Sequence, residues 1–165
     1  MSHDLPREIE RKYLLSALPE PLRQATPWQI RQGYLPGERL IERVRHTVAP
    51  DGAERYVRTV KLGRGVERIE VEEPTDAETF AVLWTLTAGR RVHKRRYRVP
   101  EGAFVWEIDQ FDDRPLVLAE IELPAADTVV SIPSWLTPVL VREVTDDGRY
   151  TNAQLARTVT LPSSD

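Results

Sequence analysis

Two carboxylates and an ammonium group alternate near the start of the chain, in Glu8-Ile9-Glu10-Arg11-Lys12. Because successive side chains of a β-strand point to opposite faces, Glu8, Glu10 and Lys12 would share one face of a strand. Carboxylate oxygens bind hard cations such as Mg²⁺, and basic side chains bind phosphate oxygens. A solvated charged face is the commoner explanation for one such strand, so the pattern carries weight only where it recurs.

The same alternation returns along the chain, with carboxylates grouped together and cations grouped together. On each predicted strand the charges fall on alternate residues, which would share one face: Arg43 and Arg45, Lys61, Arg68, Glu70 and Glu72, Lys94, Arg96 and Arg98, Glu107 and Asp109, and Glu120 and Glu122. The opposite parity is apolar, as at Val44, Ile108 and Ile121. Two geometries fit: a half-solvated sheet, or a closed sheet with charges inside and helices covering its outer face. A charged interior is costly without partners, and it suits a strongly anionic ligand that arrives with a metal ion.

Strands joined by short turns must position these residues. We expect strands at residues 9–15, 28–35, 39–49, 54–62, 66–73, 90–99, 104–111 and 116–123. Helical spacing predicts a helix at 76–87 with Thr75 as N-cap, Glu78 as its capping partner and a stripe of Phe80, Leu83, Trp84 and Leu86. Shorter helices are expected at 22–25, 133–140 and 152–158, the last capped by Thr151. The fold class is α+β, mainly antiparallel β, with an eight-stranded closed β-barrel and covering helices as the expected architecture.

Length and composition bound the function. The chain has 165 residues, which suits a single domain over 1–165, and a formal net charge of -3, which argues against nucleic-acid binding. It contains no Cys and only three His, which disfavours a zinc or copper site. The sequence shows neither a signal segment nor a stretch that could cross a membrane, so a cytoplasmic protein without a membrane partner is expected.

The ordered series of charged motifs resembles one family. The first motif matches the ExExK pattern of the CYTH superfamily, the triphosphate tunnel metalloenzymes. The resemblance continues to about residue 157 through Arg43-Val44-Arg45, Thr59-Val60-Lys61, 67–72, Lys94-Arg95-Arg96, 106–111, 118–123, 143–145 and 149–152. One departure is the turn Asp113-Arg114-Pro115, where many bacterial members carry a Gly, and it should alter a loop rather than the chemistry.

The resemblance implies an eight-stranded tunnel that binds a triphosphate with Mg²⁺ or Mn²⁺, two ions per site. The small bacterial proteins it most resembles are mostly inorganic triphosphatases. On this basis we expect the substrate to be bound by Lys12, Arg43, Arg45, Lys61, Arg68, Lys94 and Arg96. The expected metal ligands are Glu8, Glu10, Glu70, Glu72, Asp109, Glu120 and Glu122. The expected catalytic residues are Glu8, Glu10, Lys12 and Asp109.

Several alternatives stay open at this stage. A class IV adenylate cyclase needs a base pocket that no segment specifies, and a thiamine triphosphatase could use Trp28 or Trp135 to stack on its substrate. A non-catalytic polyphosphate-binding module would need only the cations, and a barrel with a solvated charged face would need no ligand. Tyr150 would either touch the substrate or anchor a C-terminal helix. The parity of His46 and His93 favours packing or surface roles. Monomer and homodimer are equally compatible with the sequence.

Overall fold

The described part of the chain, residues 9–37, 40–62 and 69–157 of a computed structural model, is dominated by one antiparallel sheet. Its strands are β1 (Ile9–Leu15), β2 (Trp28–Tyr34), β3 (Ile41–Val48), β4 (Glu54–Leu62), β5 (Ile69–Thr75), β6 (Arg91–Glu101), β7 (Phe104–Phe111), β8 (Val117–Leu123) and β9 (Leu140–Glu143). Two α-helices, α1 (Ala77–Thr85) and α2 (Asn152–Leu155), accompany it, with 3₁₀ turns at Glu20–Leu22, Thr137–Val139 and Gly148–Tyr150. The predicted α+β, mainly antiparallel class is confirmed.

The strand order is β5-β4-β3-β2-β6-β7-β8-β1-β9, and each neighbouring pair is antiparallel. Within the described residues, no hydrogen-bonded ladder joins β5 to β9 at the two ends of this order. Closure of the barrel by hydrogen bonds therefore stays a prediction. None of the helices in these ranges is long and apolar enough to span a bilayer.

The register of the sheet brings the charged side chains together on one face, here called the inner face. Residues directly opposite each other on antiparallel strands point to the same side of the sheet. The cross-strand pairs include Glu10 with Glu122, Lys12 with Glu120, Lys61 with Glu70, and Arg96 with Asp109. Carboxylates and cations that are distant in sequence thus become neighbours because of strand pairing alone.

The outer face of β1, β7 and β8 is apolar and carries the larger core. Tyr13, Trp106, Ile108 and Ile121 are buried there, and Leu136 from the segment before β9 packs against them. These strand residues have the parity opposite to the charges, as the alternating pattern predicts. The outer face is therefore covered by chain segments that lie between the strands in sequence.

Helix α1 packs on the outer face near β3 and β4 through Phe80, which is 2% exposed. The predicted apolar face of this helix is only partly correct, because the last residue of that face, Leu86, is 53% exposed. The predicted cap is wrong: Asp76 is the N-cap, and its Oδ1 accepts a hydrogen bond from the amide of Thr79 at 2.7 Å. Thr75 cannot serve because it is still paired with β4 as the last residue of β5.

The inner face has two halves. The charged half carries Lys12, Arg43, Lys94, Asp109, Glu120 and the other paired charges. The apolar half carries Tyr34, Val92, Phe111 and Leu118, which have the same parity as the charges. Residues 144–156 cover the apolar half, with Val144, Tyr150, Leu155 and Ala156 buried against it. The C-terminal segment therefore fills the apolar half of the inner face.

The C-terminal third departs most from the predicted elements. The helix expected at 133–140 is a 3₁₀ turn at Thr137–Val139 followed directly by β9, which the sequence did not predict. β9 has only four residues and pairs with β1. The final helix is confirmed with Thr151 as its N-cap, although it ends at Leu155. Residues 66–68 of the predicted fifth strand lie outside the described ranges.

Candidate active site

A cavity of about 790 Å³ opens over the charged half of the inner face. Its volume lies in the range of small-molecule binding sites, roughly 300–1,000 Å³. Each of the strands β1 to β8 contributes to the wall or its rim. The charged residues that line it are Glu10, Arg43, Arg45, Lys61, Glu70, Glu72, Lys94, Arg96, Arg98, Glu107, Glu120 and Glu122. Such a wall suits a ligand with many charged oxygens.

On the side formed by β3, β4 and β5, three cations share two carboxylates. Lys61 Nζ lies 2.7 Å from Glu70, and Arg43 Nη2 lies 3.5 Å from the same carboxylate. Arg45 Nη2 lies 3.4 Å from Glu72. Burial and the neighbouring Arg43 lower the pKa of Arg45 to about 10, which leaves its guanidinium charged at neutral pH. This side carries an excess of positive charge.

In the centre, β6 and β7 place two cations on one buried carboxylate. Lys94 Nζ lies 2.5 Å from Asp109 Oδ2, and Arg96 donates to both oxygens of Asp109 at 2.6 Å. Burial by itself would raise the pKa of Asp109, but Arg96 and Lys94 outweigh it and lower that pKa. Arg96 also donates to Glu107 and, at 3.0 Å, to Glu120. The guanidinium of Arg96 thus links three carboxylates and is fixed in position by them.

Lys12 lies at the border between the charged and the apolar halves. Its Nζ is 3.0 Å from Glu120 and 3.7 Å from Glu10, and it donates to the carbonyl of Tyr150 at 3.4 Å. Burial opposes the charge on Lys12, yet Glu120 and Glu10 outweigh it and raise its pKa above the ordinary value. Glu120 behaves inversely: burial would raise its pKa, but Lys12 and Arg96 hold it well below the usual range. Both groups are therefore ionised at neutral pH.

Comparison with known proteins places this arrangement in a family. No protein-family model matches the chain. An inorganic triphosphatase of Nitrosomonas europaea is 38% identical to it over 160 residues, covering 92% of this chain and 98% of that protein. The chain belongs to the inorganic triphosphatase family.

Two further comparisons agree with that family. An inorganic triphosphatase of Acetivibrio thermocellus is 33% identical over 155 residues, covering 92% of this chain and 94% of that protein. The crystal structure of an inorganic triphosphatase matches with a TM-score of 0.65 and 32% identity, covering 93% of this chain and 97% of that one. The agreement extends over nearly the whole chain and therefore includes the strands that carry the charges.

In this member of the inorganic triphosphatase family, most of the predicted site residues are brought together. Those that line the cavity are Glu10, Arg43, Arg45, Lys61, Glu70, Glu72, Lys94, Arg96, Glu120 and Glu122. Lys12 and Asp109 are buried among them, at 7% and 1% exposure. Glu8 and Arg68 lie outside the described residues. The roles assigned to all these residues stay predictions.

Two uncharged polar side chains that line the cavity were not predicted from the sequence. Gln32 on β2 lines the wall, is 1% exposed and donates to the hydroxyl of Tyr34 at 3.3 Å. Asn152, at the start of α2, accepts a hydrogen bond from Lys94 Nζ at 3.2 Å. The signal for Gln32 was a polar residue between Ile30 and Tyr34 in an apolar run of one parity. The C-terminal motif contained Asn152, but only the tertiary fold shows what it touches.

Tyr150 and the histidines have packing contacts. The side chain of Tyr150 is 2% exposed in the apolar half, which is the anchoring alternative. His46 faces α1, stacks on Tyr56 at 4.5 Å and approaches Phe80 at 5.8 Å. His93 lies on the same outer face, 6.0 Å from Trp84. The parity argument is thus consistent with where these rings lie.

The donor types in the wall fit a hard divalent cation. Glu10 and Glu122 are directly opposite each other on β1 and β8, and both line the cavity. Like charges in such a pair are unfavourable, and a bound cation would relieve their repulsion. Among the described residues, no group of three or more His, Cys, Asp or Glu side chains is arranged to hold a metal ion. The wall offers carboxylate oxygens, the ligand type that Mg²⁺ and Mn²⁺ prefer.

Proposed function

We propose that the protein hydrolyses inorganic triphosphate to pyrophosphate and phosphate in this cavity. The observation that carries the proposal is the convergence of six cationic side chains, from β3, β4 and β6, on one wall. These are Arg43, Arg45, Lys61, Lys94, Arg96 and Arg98. The inorganic triphosphatases to which the chain is similar over 92% of its length support the same reaction.

Substrate binding and positioning account for most of what the chain's own residues would do. Phosphoryl transfer depends mainly on alignment of the groups and on stabilisation of the charge that develops on phosphate oxygens. The guanidinium groups of Arg43, Arg45 and Arg96 can each bind two phosphate oxygens, whereas Lys61 and Lys94 act as point charges. Neighbouring carboxylates already hold these cations in the wall, so the positive charges are in place before the substrate enters.

We also propose that the reaction depends on Mg²⁺ or Mn²⁺. A phosphate chain that competes with Glu70 and Glu72 for Lys61, Arg43 and Arg45 brings further negative charge next to these two carboxylates, which is costly in a partly buried wall. Binding of a divalent cation would restore the charge balance, so substrate and metal should bind cooperatively. The ligands would come from Glu8, Glu10, Glu70, Glu72, Asp109, Glu120 and Glu122. A bound ion would neutralise phosphate oxygens and lower the pKa of the attacking water.

The architecture that fits this function is the closed tunnel of the triphosphate tunnel metalloenzymes. We propose that the sheet encloses the substrate in this way. In support, Glu70 and Glu72 on β5 line the same cavity as Glu10 on β1, although these strands lie near opposite ends of the strand order. The sheet must be strongly curved for both to reach one cavity.

The test is phosphate release by the purified protein with Mg²⁺, with Mn²⁺ and with a chelator. Inorganic triphosphate, ATP and thiamine triphosphate are compared, and cyclic AMP is measured alongside. We expect metal-dependent hydrolysis of inorganic triphosphate without cyclic AMP. Cyclic AMP from ATP would instead identify a cyclase, and tight triphosphate binding without turnover would identify a binding module.

A pair of β4 variants links the activity to the cavity. Lys61→Ala removes a cation of the wall, whereas Arg58→Ala removes a cation of the outer face that pairs with Glu42 at 3.1 Å. We expect the first variant to raise the KM for inorganic triphosphate and the second to leave it unchanged. Equal KM values in both variants would contradict the cationic wall as the binding surface.

A further inference from the structure

An arginine in the turn between β7 and β8 holds the last helix in place. Arg114 donates to both carboxylate oxygens of Asp113, at 2.9 and 2.6 Å, and through Nη1 to the carbonyl of Leu155 at 2.9 Å. Its side chain is only 5% exposed. Leu155 is the last residue of α2, and carbonyls at a helix end need partners from outside the helix. Arg114 therefore caps the C-terminal end of α2.

The opposite end of α2 reaches the candidate active site. Asn152 Oδ1 accepts from Lys94 Nζ at 3.2 Å, and the carbonyl of Tyr150 accepts from Lys12 Nζ at 3.4 Å. A helix of four residues has little stability of its own. Its orientation depends on packing in the apolar half and on the groups that bind its two ends. Thr151 caps the first end through the amide of Gln154, and Arg114 caps the second.

We infer that Arg114 is a positioning residue for the reaction. Through Leu155 and α2 it fixes Asn152 against Lys94, and so keeps the ammonium group of Lys94 in the cavity wall. Arg114 is not among the residues that line the cavity. The inference rests on the proposed hydrolysis of inorganic triphosphate, because that reaction gives Lys94 its substrate.

The first test is Arg114→Ala, assayed with inorganic triphosphate and metal. We expect kcat/KM to fall by about 10-fold, mainly through KM, since misplacing a binding group by 1 Å can cost as much as ~10²-fold. The matched control is Arg149→Ala. Arg149 donates to both oxygens of Asp147, at 2.9 and 2.7 Å, but is 46% exposed and lies before α2. The control should keep wild-type kcat/KM, and an Arg114→Ala enzyme with wild-type kcat/KM would overturn the inference.

A double-mutant cycle tests the route through α2. If Arg114 acts through Asn152, then Arg114→Ala should add almost nothing to the loss caused by Asn152→Ala. A merely structural role would give the same additional loss in both backgrounds, and that additive result would overturn the route. Arg114→Gln keeps most of the bulk of the side chain and serves if the alanine variant does not fold, with the same expectations.

Two measurements that need no turnover separate this inference from the proposed function. Calorimetric titration with inorganic triphosphate alone should show about 10-fold weaker binding to Arg114→Ala than to the Arg149→Ala control. The reason is the displacement of Lys94 that is also expected to raise KM. Hydrogen exchange at the amides of Leu155 and Ala156, which bond to Thr151 and Asn152, should speed up only in the Arg114 variant. A wild-type protein that binds but does not hydrolyse would sink the proposed function, while unchanged binding and exchange in the variant would sink this inference.

Discussion

The two halves of the inner face are built on the same strands and have opposite chemistry. A step of two residues along a strand changes a charged or polar side chain into an apolar one. The pairs are Lys12 and Leu14, Gln32 and Tyr34, Lys94 and Val92, Asp109 and Phe111, and Glu120 and Leu118. The charged half keeps its charges by pairing them, whereas the apolar half is covered by the C-terminal segment.

This difference separates binding from stability within one sheet. Each cation of the charged half has a carboxylate neighbour, so the half contributes little net stabilisation but provides fixed charges. The apolar half buries large side chains and contributes through their removal from water. Substitutions in the charged half should therefore change activity more than folding, and substitutions in the apolar half should do the reverse.

The largest expected effect is on activity and lies in the charged half. We expect Lys94→Ala to lower kcat/KM for inorganic triphosphate by ~10²–10³-fold, the usual cost of losing a fixed charge at a reacting group. Asp109 keeps Arg96 as a partner, so the variant should still fold. The neighbouring Arg95→Ala is the control, because Arg95 points outward to Asp112. Similar kcat/KM values in both variants would contradict the claim that cations of the inner face contribute to activity and those of the outer face do not.

The converse variant lies in the apolar half. Leu118 is 1% exposed, and Leu118→Ala should lower the free energy of unfolding by about 2–5 kcal/mol through the lost burial and the cavity that remains. The folded enzyme should lose much less kcat/KM than the Lys94→Ala variant, because both ends of α2 keep their partners. Urea denaturation with parallel assays measures both quantities. Val82→Ala, at a position 63% exposed, should change stability by less than about 0.5 kcal/mol. A Leu118→Ala protein of wild-type stability but reduced kcat/KM would reverse the assignment of the two halves.

Glu122 sharpens the comparison within the charged half. Glu122→Gln removes the charge opposite Glu10, so the Mg²⁺ concentration for half-maximal activity should rise by roughly 10–100-fold, the range seen when support for a metal site is lost. Glu73→Gln is the control, since Glu73 is exposed on the opposite parity of β5. Metal titrations of both variants decide the point. An unchanged midpoint in Glu122→Gln would remove this residue from the proposed ligand set.

The smallest effect is the response of stability to acid. The pKa of Glu120 and that of Asp109 are lower in the folded protein than their ordinary values, because neighbouring cations outweigh burial. A lowered folded pKa gives stability that is present above the unfolded pKa, about 4 for these groups, and is lost as the pH falls through the folded pKa. Tm should therefore be nearly constant from about pH 7 to 5 and fall below about pH 4. Glu120→Gln should show a weaker fall, and a slope equal to that of the wild type would contradict the role of Glu120.

Sequence reasoning located the strands well, because alternation over seven or more residues is a strong signal. The predicted bounds of β1, β4 and β7 agree with the structure. β9 was missed because it has four residues in a segment with several Pro, where alternation is too short to detect. The cap of α1 was placed one residue early because Thr and Asp both favour that position, and only the pairing of β5 with β4 decides between them.

The site was predictable where a charge repeats along a strand and unpredictable where the fold supplies a residue from elsewhere. The parity argument identified the charged half. It also assumed that the face with the charges is charged along its whole length. Tyr34, Val92 and Phe111, which lie on that face, were therefore not recognised as a second core. Asn152 reaches Lys94 only because the C-terminal segment crosses the apolar half. No local pattern in the sequence encodes that crossing.

The ion pairs of the cavity wall bear on its selectivity for phosphate chains of different lengths. Lys61 is already 2.7 Å from Glu70, and Arg96 is 3.0 Å from Glu120, so an entering anion must exchange partners rather than fill empty positions. A lone phosphate group replaces few of these contacts, because its oxygens span only neighbouring cations. A longer chain reaches cations on several strands and replaces more of the pairs that it breaks. We therefore expect the wall to discriminate by the length of the phosphate chain, so that small anions bind more weakly although they are small enough to enter.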